Sequence, residues 1–375
     1  MRETVLLTGS TGLLGSYILK ELIKHNVGNI IVLSRGETQE EADRRVYQEL
    51  GKHLSSKERQ RFSKLVEIIR GDITQENLGL SKKMFNNLTK KITLIYHSAA
   101  LCKFNIPLKI IRKVNVKGTD NILKFALVCK KYNLKEVHYI STIAVAGDSK
   151  GVFYEDNLDL GQKFNNTYEQ SKFEAEKLVV KYKKKGLPIT IYRPGILVGD
   201  SVTGYTNNFQ MFYQALQIFF SELFNEIPAD KNSIYYLVPV DYVAKAIMRI
   251  SLNKNDNNNK LTYHIINSDT LVLNKFLDIS SKYFKFKKPL IISKINFCFE
   301  KLSPFQMRII WPYIPYLNYG LHFDSKNTKT ILGKTDFKWP KINDVFLRRL
   351  FKFCVQCEFI IPRKKPSLRV LSKHF

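Results

Sequence analysis

Short apolar runs alternate with amphipathic stretches along the first half of the chain. Runs with the length and continuous apolar character of buried strands lie at 4–8, 29–34, 66–70, 94–97, 137–141 and 189–192. Helical periodicity follows the first run over 13–25, and another helix is predicted from residue 168 to about residue 184. Strands and helices that alternate in this way predict an α/β fold with a doubly wound parallel sheet.

The alternation weakens after residue 195, where aromatic residues become more frequent. Residues 209–224 are rich in Phe, Tyr and Leu and predict an amphipathic helix. Residues 238–244 predict a return to the sheet followed by a helix, and residues 261–267 predict another strand. The second half of the chain therefore contributes to the sheet and also builds a separate region.

Two domains are predicted from this change of pattern. The first comprises residues 1–195, to which residues 237–267 return. The second comprises 196–236 and 268–375, is smaller and mostly helical, and would hold the substrate. Its tail, 345–375, mixes Phe, Leu and Ile with Arg and Lys. Such a tail either packs on the second domain as a structural helix or makes peripheral contact with an anionic membrane.

A glycine-rich turn joins the first strand to the first helix, with glycines three residues apart in T-G-S-T-G-L-L-G. Glycine lets the backbone approach a pyrophosphate, whose charge then lies against the N-terminal N–H groups of the helix. A tight turn without a ligand has a similar pattern, but the position between a strand and a helix favours a dinucleotide site. The predicted contacts are Gly9, Ser10, Thr11, Gly12, Leu13, Leu14 and Gly15.

The end of the second predicted strand distinguishes the two nicotinamide cofactors. An acidic residue there binds the 2′-hydroxyl of NAD, whereas an arginine accommodates the 2′-phosphate of NADP. This chain has Ser34 and Arg35 at that point, with Arg45 or Arg44 as a second contact. We therefore predict NADPH as the cofactor; a solvated surface arginine is the alternative interpretation of each position.

Three later strand ends are predicted to complete the cofactor site. An aspartate after the third strand meets the adenine or caps a turn. Small residues after the fourth strand let the backbone pass close to a cofactor, and the sixth strand leads into R-P-G. The predicted contacts are Asp72, Ile73, Ser98, Ala99, Ala100, Arg193, Pro194, Gly195 and Ile196.

Four residues are predicted to carry catalysis. Tyr168 and Lys172 are one helical turn apart and face the same side; both would also contact the cofactor. A tyrosine titrates near ~10, and a neighbouring ammonium would lower its pKa and make it a proton donor near neutrality. Thr142, or Ser141 in its place, can share a carbonyl oxygen with Tyr168. Asn115 would hold a water or a backbone group behind the lysine, unless it caps a helix.

Composition and charge constrain the partners only loosely. The 375 residues carry a formal net charge of +27, which suits nucleic acid, anionic lipid, phosphorylated cofactors or acidic carrier proteins, or reflects a lysine-rich solvated surface. No helix-turn-helix or basic-aromatic repeat supports nucleic acid, so none is predicted. Five scattered cysteines and a first strand at residue 4 lead us to expect a cytoplasmic protein. No metal site is predicted, because Cys354 and Cys357 have no second pair.

The motifs T-G-S-T-G-L-L-G, G-D-I, H-S-A-A, N-V-K-G-T, Y-I-S-T, Y-E-Q-S-K and Y-R-P-G, in this order, resemble an extended short-chain dehydrogenase/reductase with a Rossmann-type fold. Within that superfamily the chain is similar to thioester reductases and fatty acyl-CoA reductases of the male sterility type. The features shared with that branch are the charged insert after L-S-R, the stretch at 71–81, and S-T-I-A-V-A-G after the fifth strand. The resemblance covers about residues 4–270.

The resemblance implies NADPH-dependent reduction of an acyl thioester to an aldehyde, which some members reduce on to the alcohol, in lipid metabolism. Tyr168 and Thr142 would bind the developing oxyanion, and Lys172 would hold the nicotinamide ribose. We expect no adenylation or carrier region before residue 1, and therefore expect the substrate as acyl-CoA or on a separate acyl-carrier protein. Two alternatives remain open: an extended reductase or epimerase for a sugar nucleotide or sterol-like alcohol, and a non-catalytic NADP-sensing regulator.

Overall fold

The computed structural model describes residues 2–104, 106–253 and 261–361. The strands are β1 Glu3–Thr8, β2 Gly28–Ser34, β3 Val66–Arg70, β4 Leu94–His97, β5 Glu136–Ile140, β6 Val152–Phe153, β7 Ile189–Pro194, β8 Ile196–Val198, β9 Glu226–Pro228, β10 Ile234–Tyr235, β11 Leu237–Pro239, β12 Thr262–Ile265, β13 Leu271–Val272, β14 Leu290–Ile292 and β15 His322–Phe323. The helices are α1 Leu13–Lys24, α2 Gln39–Leu50, α3 Ser56–Leu65, α4 Lys82–Lys91, α5 Leu108–Arg112, α6 Gly118–Lys130, α7 Thr167–Lys184, α8 Phe212–Phe220, α9 Val240–Leu252, α10 Leu273–Phe284, α11 Pro304–Ile310, α12 Ile314–Leu317, α13 Lys326–Leu332 and α14 Asp344–Gln356.

Within these ranges, seven strands form a central sheet in the order β12–β7–β5–β4–β1–β2–β3. Every pairing in it is parallel, which confirms the predicted doubly wound Rossmann-type fold. The strands are apolar along their length because helices cover both faces: α1 and α9 pack on one face, and α4, α6 and α7 on the other. The chain reverses its direction of winding between β1 and β4, where such sheets bind their ligands.

Two predicted elements of the second half differ in the structure. The helix expected at 209–224 covers only α8, because Met211 and Glu222 on either side have positive φ angles of 45° and 53°. Residues 238–244 were expected to return to the sheet and then form a helix; the helix forms as α9, but the preceding strand, β11, pairs with β8 in a separate two-stranded sheet. The return to the central sheet comes later, where β12 pairs with β7.

A second apolar core lies outside the central sheet and is built mainly from α8, α10, α11, α12 and α14. Helix α14 buries one face, including Phe346, Leu350 and Phe351, so the described part of the tail packs as a structural helix. The tail residues 362–375 lie outside the described residues, and the domain boundary at residue 195 stays a prediction. In the part of the chain that the structure describes, no helix is long and apolar enough to cross a membrane.

Candidate active site

A cavity of about 460 Å³ opens at the carboxyl ends of the central strands and extends to the second core. The glycine turn forms one end of the cavity, and the ends of β4 and β5 and the start of α7 form its middle. Residues after β7 and around α8, β10 and α12 form the far end. A cavity at this edge of a doubly wound sheet is where a dinucleotide and its substrate are expected to meet.

The glycine turn is built for close approach to a ligand. Gly9 has a φ of +80°, and a Cβ placed there would lie 2.6 Å from the main-chain nitrogen of Ala99. A Cβ at Gly15 would lie 2.0 Å from the Gly9 carbonyl oxygen, so the turn and α1 touch through bare backbone. No side chain caps α1 at Gly12, and the buried Ser10 hydroxyl has no hydrogen-bond partner among the described residues. These free donors at a helix N-terminus fit the pyrophosphate of a dinucleotide.

The predicted cofactor contacts differ in whether they line the cavity. Cavity-lining positions are Thr11, Gly12, Leu13, Leu14, Gly15, Ser98, Ala100, Pro194, Gly195 and Ile196. Arg35 is exposed just beyond β2 and Arg45 is half-buried on α2, and neither lines the cavity.

Three predicted contacts are used structurally instead. The Ser34 hydroxyl donates to the carbonyl oxygen of Ala42 at 3.2 Å. The Asp72 carboxylate accepts from the Thr74 N–H at 2.8 Å, which is the turn-capping alternative, and Ile73 is buried against Gly118. These side chains therefore fix loops around the site and do not line the cavity.

Tyr168 and Thr142 both line the cavity. Tyr168 lies in the first turn of α7, which Asn166 caps by accepting from the Glu169 N–H at 3.0 Å. The Thr142 hydroxyl and the Cys102 thiol lie near its hydroxyl, and both residues also line the cavity. Burial raises the pKa of Tyr168 well above its usual value, which is opposite to the lowering predicted from its proximity to Lys172. Tyr168 therefore carries its proton at neutral pH.

Lys172 is buried and held by main chain. Its Nζ donates to the Ile140 carbonyl oxygen at 2.8 Å and to the Tyr139 hydroxyl at 3.2 Å, with the Tyr139 ring centroid at 4.7 Å. Burial lowers the pKa of Lys172 to about 8. The ammonium is thus fixed on the floor of the cavity, one turn below Tyr168.

Asn115 lies in a π-helical segment, Lys113–Lys117, that joins α5 to α6. Its amide accepts from the Leu101 N–H at 2.7 Å and donates to the Leu101 carbonyl at 3.1 Å. It also donates to the Ser171 hydroxyl at 2.9 Å. Asn115 therefore holds a backbone group, one of the two predicted roles, and ties the loop after β4 to α7 beside Lys172.

The prediction that the Arg193 side chain contacts the cofactor is corrected by its environment. Arg193 is 1% exposed and pairs with Glu176, with 2.5 Å between Nη2 and Oε1. It also donates to the Asn157 carbonyl at 2.7 Å. A buried guanidinium needs such partners, so this side chain braces β7 against α7. Glu176 also accepts from the Ser141 hydroxyl, which leaves Thr142 as the hydroxyl that faces Tyr168.

Sequence reasoning missed several residues that surround Tyr168. Cys102 and Phe104 follow β4, and the Phe104 ring lies 5.9 Å from that of Tyr168. Glu169 is 2% exposed and accepts a hydrogen bond from the Tyr316 hydroxyl, and both residues line the cavity. Burial raises the pKa of Glu169. The Y-x-x-x-K spacing gives no signal for Tyr316, which lies 147 residues from Glu169.

Residues 7–247 match the profile of an NAD-binding family described as male sterility protein. The chain belongs to this family. That membership confirms the resemblance to the thioester reductase branch of the extended short-chain dehydrogenases/reductases. The family is one of NAD-binding proteins, which agrees with the nicotinamide cofactor predicted for the glycine turn.

Curated relatives of this chain include much longer proteins. A component of the linear gramicidin synthase of Brevibacillus parabrevis is 31% identical over 270 residues, which is 71% of this chain and 5% of that protein. Glycine betaine reductase ATRR of Emericella nidulans is 32% identical over 263 residues, 66% of this chain and 20% of that protein. L-2-aminoadipate reductase of Saccharomyces cerevisiae is 26% identical over 364 residues, 90% of this chain and 26% of that protein. The chain therefore spans about a quarter or less of the length of these relatives.

Solved structures share the fold over nearly the whole chain. The terminal R domain from the myxalamid PKS-NRPS pathway has a TM-score of 0.82 and 28% identity, and covers 96% of this chain and 92% of its own. A thiolation-reductase di-domain from an archaeal non-ribosomal peptide synthetase has a TM-score of 0.74 and 24% identity, covering 96% and 76%. UDP-glucuronic acid 4-epimerase from Bacillus cereus has a TM-score of 0.65 and 17% identity, covering 94% and 99%. The last two likenesses concern the fold alone.

Proposed function

We propose that this protein reduces an acyl thioester to an aldehyde with NADPH. The observation that carries the proposal is that the hydroxyl-bearing residues Tyr168 and Thr142 line the same cavity as the glycine turn, with Lys172 beside them. Family membership and the likeness to a terminal R domain support the same reaction. The cavity is lined both by the glycine turn, where the cofactor is proposed to bind, and by residues around α8 and α12, where the acyl group is proposed to lie.

When bound, NADPH supplies a hydride for the carbonyl carbon of the thioester. The hydroxyls of Tyr168 and Thr142 stabilise the negative charge that develops on the carbonyl oxygen. Tyr168 then passes its proton to that oxygen, and the buried ammonium of Lys172 stabilises the phenolate that remains. The thiohemiacetal breaks its C–S bond and releases aldehyde and thiol, with the hydroxyl proton going to the thiolate. Whether a second hydride follows, giving the alcohol, is decided by the product assay below.

Arg35 supports NADPH over NADH as the proposed cofactor. It is exposed at the tip of β2, next to the buried Ser34, where the adenosine ribose of a dinucleotide lies in this fold. Its guanidinium has the planar donor geometry that suits a phosphate. Arg45 on α2 is the proposed second contact.

A carrier-tethered acyl group is the proposed form of the substrate, with acyl-CoA as the alternative. The structural relatives include a terminal R domain and a thiolation-reductase di-domain, both from assembly-line synthetases. The net charge of +27 suits an acidic carrier protein and the phosphates of CoA alike.

A peripheral membrane contact is proposed only for the basic residues at 362–375. The test is to compare the binding of the protein to anionic vesicles with and without that segment.

The test is to incubate the protein with NADPH and a panel of thioesters that present the same acyl group on CoA, on pantetheine and on a carrier protein. Products are trapped and identified, and thiol release is measured in parallel. We expect one aldehyde per NADPH consumed, or one alcohol per two. Thiol release without NADPH consumption, or NADPH consumption without either product, would contradict the proposal.

A further inference from the structure

A second, smaller cavity of about 40 Å³ lies in the second core, next to the active-site cavity. Ile196, Met211, Tyr235 and Tyr316 line both cavities, so the two cavities adjoin each other. We call it the apolar pocket. Phe219 on α8 and Phe276 on α10 line the apolar pocket but not the active-site cavity.

Only apolar atoms of the described residues face this pocket, although three tyrosines line it. Each tyrosine hydroxyl is engaged elsewhere. Tyr235 donates to the Tyr316 carbonyl at 3.1 Å, Tyr313 donates to Gln214 at 2.8 Å, and Tyr316 donates to Glu169. The rings are therefore anchored with their carbon faces toward the pocket, which leaves no polar group inside to bind water.

Aromatic rings pack against one another in the walls of the pocket. Phe212 and Phe276 contact each other with ring centroids 5.0 Å apart, and Phe219 lies 6.2 Å from Phe276. A cavity with carbon walls stays dry, and its lining atoms lack contacts that an apolar guest would restore. A pocket of this kind beside a catalytic cavity suits the apolar part of a substrate.

We propose that the apolar pocket receives the hydrocarbon end of the acyl chain and so selects thioesters whose acyl group is apolar. The inference rests on the proposed thioester reduction and names the substrate class of the same site. A volume of about 40 Å³ has room for about three water-sized groups, so the pocket takes a terminal segment of roughly three or four carbons. An acyl group that ends in an ammonium, a carboxylate or an amide would lose its hydration there without gaining a partner.

Two phenylalanines of α8 provide a matched pair of variants. Phe219 and Phe220 are each 5% exposed and both belong to the second core, but only Phe219 lines the pocket. Both substitutions by alanine remove a buried ring and have a similar cost in stability. Phe219→Ala should extend the preferred acyl length by about two or three carbons, whereas Phe220→Ala should leave the preference unchanged.

A third variant fills the pocket. Ala215 is half-buried and lines it, so Ala215→Phe should shorten the preferred chain. Each methylene excluded from the pocket should lower kcat/KM about four-fold, while the shortest acyl thioesters should be reduced at the wild-type rate. The measurement is kcat/KM for an acyl series of increasing length, together with an aminoacyl thioester of matched size.

The outcomes distinguish a failure of the apolar-pocket proposal from a failure of the proposed thioester reduction. The proposal would be overturned if kcat/KM depended on acyl length in the same way for Phe219→Ala and Phe220→Ala. It would also be overturned if the wild type preferred the aminoacyl thioester to the apolar one of matched size. If no thioester is reduced, the proposed function fails, and calorimetry with 1-hexanol tests the pocket by itself. If the wild type and Phe220→Ala bind 1-hexanol and Ala215→Phe does not, the result supports the proposed role of the apolar pocket. If the wild type does not bind 1-hexanol, or if all three proteins bind it equally, the proposed role is overturned.

Discussion

The Nζ atom of Lys172 donates a hydrogen bond of 2.8 Å to the main-chain carbonyl oxygen of Ile140. Ile140 is the last residue of β5, two positions before Thr142. This bond therefore fixes α7 against β5 beside the two hydroxyls that face the cavity. Lys172 serves the proposed reaction in two ways, because it holds Tyr168 and Thr142 in register and also supplies a buried positive charge.

Replacing Tyr168 with phenylalanine should lower kcat by roughly 10²- to 10⁴-fold, the usual size of a general-acid contribution. NADPH binding should change little, because the ring remains. The matched control is Tyr182→Phe on the same helix, whose hydroxyl donates to Asp120 at 3.0 Å away from the cavity. Single-turnover rates and cofactor titrations check this, and a Tyr168→Phe enzyme as fast as the control would refute the assigned role.

Lys172 should give activity and stability opposite pH dependences. Its pKa in the fold is about 8, so the ammonium and its effect on Tyr168 are lost as pH rises through that value, and kcat/KM should fall. In the unfolded chain the pKa of a lysine is about 10.4, so between about pH 8 and pH 10.4 the unfolded state binds more protons than the folded state. The contribution of Lys172 to the free energy of unfolding therefore rises with pH over this interval.

The pH prediction is measured against Lys172→Met, which does not titrate at this position. The free energy of unfolding of the wild type relative to Lys172→Met should increase from pH 7 to pH 10. Wild-type kcat/KM should decrease over the same interval, with its midpoint near pH 8. A stability difference that stays constant with pH, or a rate that is flat to pH 10, would show that Lys172 does not titrate as described.

Replacing Arg35 with alanine should raise KM for NADPH about ten- to a hundred-fold and leave KM for NADH nearly unchanged. The loss follows from removing a charge-assisted contact to the 2′-phosphate, which NADH lacks. Arg308→Ala is a suitable control, since Arg308 is an exposed arginine on α11, far along the chain from the glycine turn. A wild-type preference for NADH would reject the role given to Arg35.

Asn115→Asp keeps the oxygen that accepts from Leu101 but loses the two donated hydrogen bonds. We expect kcat to fall about ten-fold, because the loop with Cys102 and Phe104 is no longer tied to α7. Asn267→Asp is the control: Asn267 is also buried and donates to the Pro340 carbonyl at 2.8 Å, but does not line the cavity. Both variants should lower the free energy of unfolding by about 1–3 kcal/mol, but only Asn115→Asp should lower kcat. A similar fall in kcat in both variants would indicate a general structural effect and contradict the prediction.

Local sequence patterns predicted the parts of the site that are local in the chain. The glycine turn and the Tyr168–Lys172 pair depend on spacings within one turn or one helix, so their geometry follows from the sequence. Arg193 was misassigned because its partner, Glu176, is set by the packing of β7 against α7. A glutamate two helical turns after Tyr168, on the same face of α7, was a usable signal for that ion pair.

The far end of the cavity was less predictable. The aromatic stretch 209–224 indicated an apolar region, but the positive φ of Met211 and the length of α8 depend on tertiary packing. Tyr316 reaches Glu169 only because α12 folds back over the start of α7, and no periodicity in either segment encodes that contact. Long-range contacts of this kind shape the far end of the cavity, so local sequence patterns do not predict which residues line it.

The central claim is direct hydride transfer from NADPH to the thioester carbonyl carbon. The most direct test is a reaction with NADPH deuterated at the transferred position of the nicotinamide C4, followed by mass analysis of the trapped product. The proposed function predicts one deuterium on C1 of the aldehyde, or on C1 of an alcohol if reduction continues. An unlabelled acid and free thiol as the only products would contradict it and show hydrolysis instead of reduction.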